Sequence, residues 1–168
     1  SDIDSLVKTA SQNYGDICHR YYKYKAKYFG GVKLNYWDRN APYPSYKEPK
    51  ISWNEAKSIV IKSYMSFDKR FGEIVKKFFD NSWIDARVLK GKTSGAFSHP
   101  TVPSCNPKIL LNFQGKIRDV MTLAHELGHG VHQFLANRNG VLLADTPLTL
   151  AETASVFGEM LTLSLIHI

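Results

Sequence analysis

From residue 117 to residue 135, apolar and small side chains recur at the spacing of one helix face, through Val120, Ala124, Gly128, Val131 and Leu135, until "NRNG" ends the run. Into that frame fall His125, Glu126 and His129. Two histidines four residues apart on a helix lie one turn above each other, so both rings can reach a single ion. Their face overlaps the apolar stripe, where a buried imidazole pair without a partner would be costly. The stretch therefore requires a second element that brings another polar group against this helix.

The order His-Glu-x-x-His places a glutamate where it can act as general base on a metal-activated water. A third histidine, His132, is seven residues from His125. At 1.5 Å rise per residue that is ~10 Å along the axis, whereas zinc–nitrogen bonds are about 2 Å. His132 is accordingly read as a supporting group outside the ligand shell, or as packing. The metzincin pattern would place a glycine three residues beyond His129 and a histidine six beyond, but His132 and Leu135 stand there. The third ligand must come from another element.

A last helix is predicted with Thr146 as N-cap and Pro147 at its first position, its apolar stripe formed by Leu150, Ala154, Phe157, Leu161 and Leu165. Glu152, Ser155 and Glu159 fall on one line of this helix, and polar groups on so apolar a segment need partners. Thr149 and Glu152 have capping-box spacing, which is a competing use of the carboxylate. Pro147 favours an earlier start that leaves Glu152 free, so Glu152 is the preferred third ligand. Glu159, two turns further, either orients a ligand histidine or is a half-buried, hydrogen-bonded acid. Gly128 and Gly130 each cost about 1 kcal/mol relative to alanine inside a helix, which close approach of a neighbouring backbone would explain. Two histidines and one carboxylate leave a fourth position for water, whose pKa zinc lowers, with Glu126 to take the proton.

Elsewhere, "GDICHRYYKYKAKYFGG" reads as a helix closed by Gly30 and Gly31, followed by a Pro-rich loop through "DRNAPYPSYKEPK". Ser52 and Glu55 form a capping box before Ala56, Ile59, Val60 and Tyr64, and Phe71, Ile74, Val75 and Phe78 mark the next helix. "SGAFS" and "KILLNF", joined by "HPTVPSCNP", are predicted strands. The fold class is mainly α with a small β-hairpin or sheet.

The chain has 168 residues, the size of one ordinary domain, and a formal net charge of +7, which fits an acidic partner but decides little. Cys18 and Cys105 have neither disulfide-framework nor zinc-thiolate spacing, so a reducing cytoplasm is expected. No apolar run approaches the ~20 residues of a membrane span, and no membrane partner is expected. "RYYKYKAKYF" interleaves basic and aromatic residues as single-strand nucleic-acid platforms do. An amphipathic helix that buries its tyrosines and keeps its lysines wet is the preferred reading, and no nucleic-acid partner is expected. His19, His99 and His167 lack partners at ligand spacing. His99, beside the loop between the strands, remains a candidate for supporting the site or touching substrate.

At "RYYKYKAKYFG", "DRNAPYP", "WNEAKSIV", "WIDA", "GKTSGAFSHPTVPS", "ILLNFQGKIRDVMTLAHELGHGVHQFLA" and "ADTPLTLAETASVFGEMLT" the chain resembles the oligoendopeptidase F family, relatives of thimet oligopeptidase. The resemblance runs from about Gly15 to Thr162. It implies a mainly helical, zincin-like catalytic core with one Zn2+ held by His125, His129 and Glu152, and Glu126 as base. It also implies oligopeptide substrates cleaved inside a channel that excludes folded proteins, with one of the two strands pairing to the peptide. Family members are several times longer. The chain is therefore expected to be a truncated, single partial catalytic domain over 1–168, with a helical lead-in and Pro-rich loop over 1–50 and a zinc-site core over 51–168. Flanking regions of the same polypeptide are expected partners. The family's oxyanion-stabilising tyrosine and histidine side chains lie downstream of the ligand helix, and nothing corresponds to them after Glu159, which makes an inactive zinc-binding fragment the alternative. The final "LSLIHI" departs from the family pattern.

Overall fold

The computed structural model describes residues 1–43 and 49–166; residues 44–48 of the expected Pro-rich loop, and His167, lie outside the described residues. The chain groups into two compact units, Ser1–Lys47 and Glu48–Ile168.

The first unit is built on α1 (Asp2–Tyr28), which starts well before the expected Gly15 because Ser1 and Asp4 form a capping box. It ends in a Schellman pattern: the Gly31 N–H donates to the Ala26 carbonyl, the Gly30 N–H donates to that of Lys27, and Gly30 takes φ +71°. The expected burial pattern of this helix holds for Lys23 and Lys27, which are exposed, and for Tyr22, which is half-buried, but fails at four other residues. Lys25 is 3% exposed, donating to the Arg39 carbonyl at 2.7 Å with its ammonium 5.8 Å from the ring centres of Phe29 and Tyr43, while Tyr21, Tyr24 and Tyr28 stay about half exposed. The segment after the helix folds onto its Lys25–Ala26 side, so that side is buried and the tyrosine side is not.

In the second unit, the Ser52–Glu55 capping box opens α2 (Trp53–Phe67), and the Asp68 carboxylate starts α3 (Lys69–Asp80) by accepting from Arg70 N–H at 2.7 Å. Three short strands follow: β1 (Ile84–Asp85), β2 (Phe97–His99) and β3 (Lys108–Leu110). Their order is β1-β3-β2, with β1 parallel and β2 antiparallel to the central β3, and Ser98 opposite Ile109. The strand β1 is additional to the two expected from sequence. Only two of its residues pair as strand, although Trp83 and Ala86 extend the ladder through their carbonyls to Ile109 and Phe113.

The loop leading to β2 is fastened by two side chains. Lys92 Nζ donates to the carbonyls of Asp85, Arg87 and Leu111 at 3.1, 2.8 and 2.9 Å and pairs with the Asp85 carboxylate at 3.0 Å. Asn112 donates to the carbonyls of Thr93 and Gly95.

The helix α4 (Ile117–Ala136) begins where Asp119 Oδ2 accepts the backbone N–H groups of Gln114 and Lys116 at 2.8 and 3.0 Å. Its Val120, Leu123, Leu127 and Val131 pack with Tyr64 of α2, Phe78 of α3 and Ile109 of β3 to make the core. Tyr64 also donates from its buried hydroxyl to the Ala124 carbonyl at 2.8 Å, and burial raises the pKa of that phenol well above its ordinary value.

The last helix, α5 (Leu148–Ile166), starts one residue later than expected, with the Pro147 carbonyl accepting from Leu150 and Ala151. Its expected apolar stripe is buried only in part, through Ala154 and through Leu161, which packs against the core. Ser155, Gly158 and Thr162 are buried, while Leu150, Phe157 and Leu165 remain exposed. The reason is the closeness of the neighbouring helix. A Cβ on Gly128 would collide with the Ala154 carbonyl and lie 2.7 Å from Ser155 Cα, and one on Gly158 would meet the Ala124 carbonyl at 2.6 Å. Only small residues fit such an approach, and the Ser155 hydroxyl is satisfied within its own helix by Glu152. Gly130 has a different neighbour from the backbone expected: its missing Cβ is replaced by the Phe78 ring at 2.7 Å.

Among the described residues no helix is long and apolar enough to cross a membrane, and Cys18 and Cys105 are both free and exposed.

Candidate metal centre

His125 and His129 lie one turn apart on α4, their ring centres 4.9 Å apart. The close contact between α4 and α5 brings Glu152 opposite them. His125 Nε2 is 3.5 Å from Glu152 Oε2, and His129 Nε2 is 3.7 Å from Glu152 Oε1. One ligand atom from each of the three residues can be chosen so that all lie within 4.8 Å of one another. Around a tetrahedral ion with bonds of 2.0–2.1 Å, neighbouring ligand atoms are about 3.3–3.4 Å apart, so the two histidine–glutamate separations lie within a few tenths of an ångström of such a shell. Two imidazoles and one carboxylate are also a donor set suited to zinc.

One acceptor and one donor support the triad. Glu159, two turns beyond Glu152, lies 2.5 Å from His125 Nδ1. Ser155 donates to Glu152 Oε2 at 2.8 Å and so fixes the carboxylate on the side of α4. The Thr149 capping-box reading of Glu152 does not arise, because Thr149 lies inside the first turn of α5 rather than at its cap. Burial pushes His129 below the ordinary imidazole pKa, against an opposing pull from the Glu152 charge, and so favours the neutral ring that a metal requires.

Glu126 is 5% exposed, and among the described residues its Oε2 has no hydrogen-bond partner. Burial raises its pKa, the Glu152 charge adds to the rise and His125 opposes it. It lines a cavity of about 560 Å³ together with His125, His129 and Glu152. One wall is made by residues in and beside β2, including Phe97, Ser98 and Pro100, and another by Asp145 and the residues leading into α5.

The other two histidines singled out from sequence stand elsewhere. His132 lines a separate apolar cavity of about 420 Å³ with Phe67, Phe71, Leu135 and Phe157, and its Nδ1 is buried with no hydrogen-bond partner among the described residues. His99 is exposed; its Nδ1 accepts the Thr101 N–H at 3.0 Å, and it does not line the metal cavity, whereas its neighbours Ser98 and Pro100 do.

The family model of peptidase family M3 matches residues 3–165. The chain belongs to this family. Oligopeptidase PepF of Bacillus subtilis is 29% identical over 159 residues, covering 94% of this chain and 23% of that protein. The chromosomal oligoendopeptidase F of Lactococcus lactis subsp. cremoris is 32% identical over 157 residues, covering 93% of this chain and 26% of that protein. The chain thus spans about a quarter of the length of these relatives. The solved structure of PZ peptidase A with inhibitor 2 superposes with a TM-score of 0.82 at 22% identity, over 98% of this chain and 30% of that one, and shares its fold.

Within this M3-family core, sequence reasoning missed two residues that shape the cavity. Gln133 of α4, 6% exposed, and Ser98 of β2 are hydrogen-bonded to each other twice. Gly158 had a readable signal, a glycine inside a helix beside Glu159, and its role is the close approach to Ala124.

Proposed function

We propose that the chain is the metal-binding core of a zinc-dependent endopeptidase that hydrolyses peptide bonds in oligopeptides, with Glu126 as general base. The observation that carries this reading is the convergence of His125, His129 and Glu152 beside a buried Glu126 carboxylate. Membership of peptidase family M3 supports it.

His125 and His129 would hold one Zn2+ through Nε2, with Glu152 contributing a carboxylate oxygen. When bound, zinc supplies a Lewis acid that lowers the pKa of water and polarises the scissile carbonyl. Glu126 takes a proton from the attacking water as its oxygen bonds to the carbonyl carbon, then gives that proton to the departing amine as the C–N bond breaks. Its burial raises its proton affinity toward the range in which both transfers are efficient. Ser155 and Glu159 orient Glu152 and His125. The outer strand β2 would receive an extended peptide along the cavity wall.

A second reading, a zinc-binding fragment with little or no hydrolysis, is favoured by one observation. Among the described residues the cavity lining contains no tyrosine, and no histidine besides His125 and His129, so none of them resembles the oxyanion donors of the family. Losing one such donor costs about 100-fold or more in rate. Flanking regions of a longer polypeptide would supply them.

The two readings separate in one experiment, in which an internally quenched linear peptide is incubated with the zinc-loaded chain and with Glu126→Gln. Hydrolysis abolished by chelator and by Glu126→Gln supports the peptidase. Zinc binding that His125→Ala removes, without hydrolysis, supports the second reading. Hydrolysis that survives Glu126→Gln ends the assigned mechanism.

A further inference from the structure

The strand β2 is three residues long and paired on one side only, to β3. It nevertheless forms a wall of the metal cavity, and a strand so short is poorly fixed by its ladder alone. What ties it to α4 is Gln133. This residue lies one turn after His129 and two after His125, so it projects from the histidine face of the helix. Its Oε1 accepts from Ser98 Oγ at 2.8 Å, and its Nε2 donates to the Ser98 carbonyl at 3.2 Å. A carbonyl can only accept, so the amide orientation is fixed: the NH2 must face the Ser98 carbonyl and the oxygen must face the hydroxyl. Both ends of one buried amide are committed to a single strand residue.

We propose that Gln133 is a positioning residue for the peptide substrate. By clamping Ser98 it sets the gap between the edge strand and the metal-binding face of α4, and thereby where the reacting carbonyl of a peptide paired to β2 comes to rest. This rests on the peptidase reading of the same cavity. Positional demands in such a site are steep, since misplacement by ~1 Å can cost on the order of 100-fold in rate.

The test uses the zinc-loaded chain with three substitutions, Gln133→Met, Ser98→Ala and Ser98→Thr. Gln133→Met keeps the length of the side chain and removes both bonds, Ser98→Ala removes the hydroxyl bond with little risk to folding, and Ser98→Thr retains it. Affinity for a fluorescein-labelled linear octapeptide is measured in the Glu126→Gln background, and kcat and KM are measured with Glu126 intact. Zn2+ affinity is measured for every variant.

The expected result is a fall in peptide affinity of about ten-fold or more for Gln133→Met. A smaller fall is expected for Ser98→Ala and recovery for Ser98→Thr, with Zn2+ affinity within about two-fold throughout. In the active background kcat should fall as well as KM rise, because a peptide that still binds is misplaced. Unchanged peptide affinity in Gln133→Met and Ser98→Ala overturns the proposal, as does a parallel loss of Zn2+ affinity, which would mark a structural role only. If Gln133→Met does not fold, the Ser98 pair decides alone. Peptide binding that depends on the clamp, in a chain that cleaves nothing, would sink the peptidase reading and leave the clamp standing. Cleavage with clamp-independent binding does the reverse. Absence of any peptide binding overturns the clamp as well.

Discussion

The Glu159 carboxylate holds His125 through Nδ1 at 2.5 Å while Nε2 of the same ring faces Glu152 at 3.5 Å. An ionised carboxylate can only accept, so Nδ1 carries the proton and Nε2 keeps a lone pair directed at the other ligands. Glu159 therefore selects the ring tautomer that would leave Nε2 free for a metal. Removing it in Glu159→Ala should lower zinc affinity by about 10–100-fold, with Glu159→Gln losing less because its amide oxygen still accepts. Competition against a chromogenic chelator measures this, and equal affinity in all three proteins would contradict it.

Zinc should also act on stability, since a ligand that binds only the folded chain stabilises it by mass action. At free zinc one hundred times the dissociation constant the gain is about 2.7 kcal/mol. Urea unfolding with zinc and with chelator should show this shift in the parent chain, and His129→Ala should show none.

Two glycines predict opposite outcomes for the same substitution. At Gly15, in the exposed middle of α1, a methyl group meets nothing within 4 Å, so Gly15→Ala should stabilise α1 by roughly 0.5–1 kcal/mol. At Gly128 the same methyl runs into the main chain of α5, and Gly128→Ala should cost about 1–3 kcal/mol and weaken zinc binding by pushing Glu152 away. Denaturant midpoints and a zinc titration on both variants check the pair.

Lys92 gives a prediction away from the metal. Its ammonium serves three carbonyls and one carboxylate, and its side chain is only 7% exposed. Lys92→Met leaves those carbonyls short of a donor, at a cost of about 1–3 kcal/mol. Amide exchange should quicken first in the loop before β2, whereas uniform exchange across the chain would point to a global effect.

The helix that carries His125 and His129 was legible because its apolar period and the His-Glu-x-x-His spacing are both local, as was the Ser52–Glu55 cap of α2. Glu152 was legible because a polar line on an apolar helix must meet something. Other features depend on partners far along the chain. Gln133 and Ser98 are 35 residues apart, and neither residue type announces the other. The strand β1 pairs through too few residues to leave a period. The inward face of α5 is hard to read from its own sequence because the nearness of α4, not hydrophobicity, decides burial along the contact and favours Ser155, Gly158 and similarly small groups there. Similarly, Lys25 is buried by a segment whose fold the helix's own sequence does not encode.

The contact between Gly128 and the Ala154–Ser155 backbone places no flexible side chain between the helix that bears the histidines and the helix that bears Glu152. The jaws of the site are main chain against main chain, so their opening is governed by the stiffest part of the molecule. The His125–Glu152 and His129–Glu152 separations of 3.5 and 3.7 Å are slightly wider than a tetrahedral zinc shell, so an ion there would gather its ligands by small turns of three side chains while the two backbones stay where they are. The spacing of the two helices that carry the site is thus written into a position that has no side chain at all.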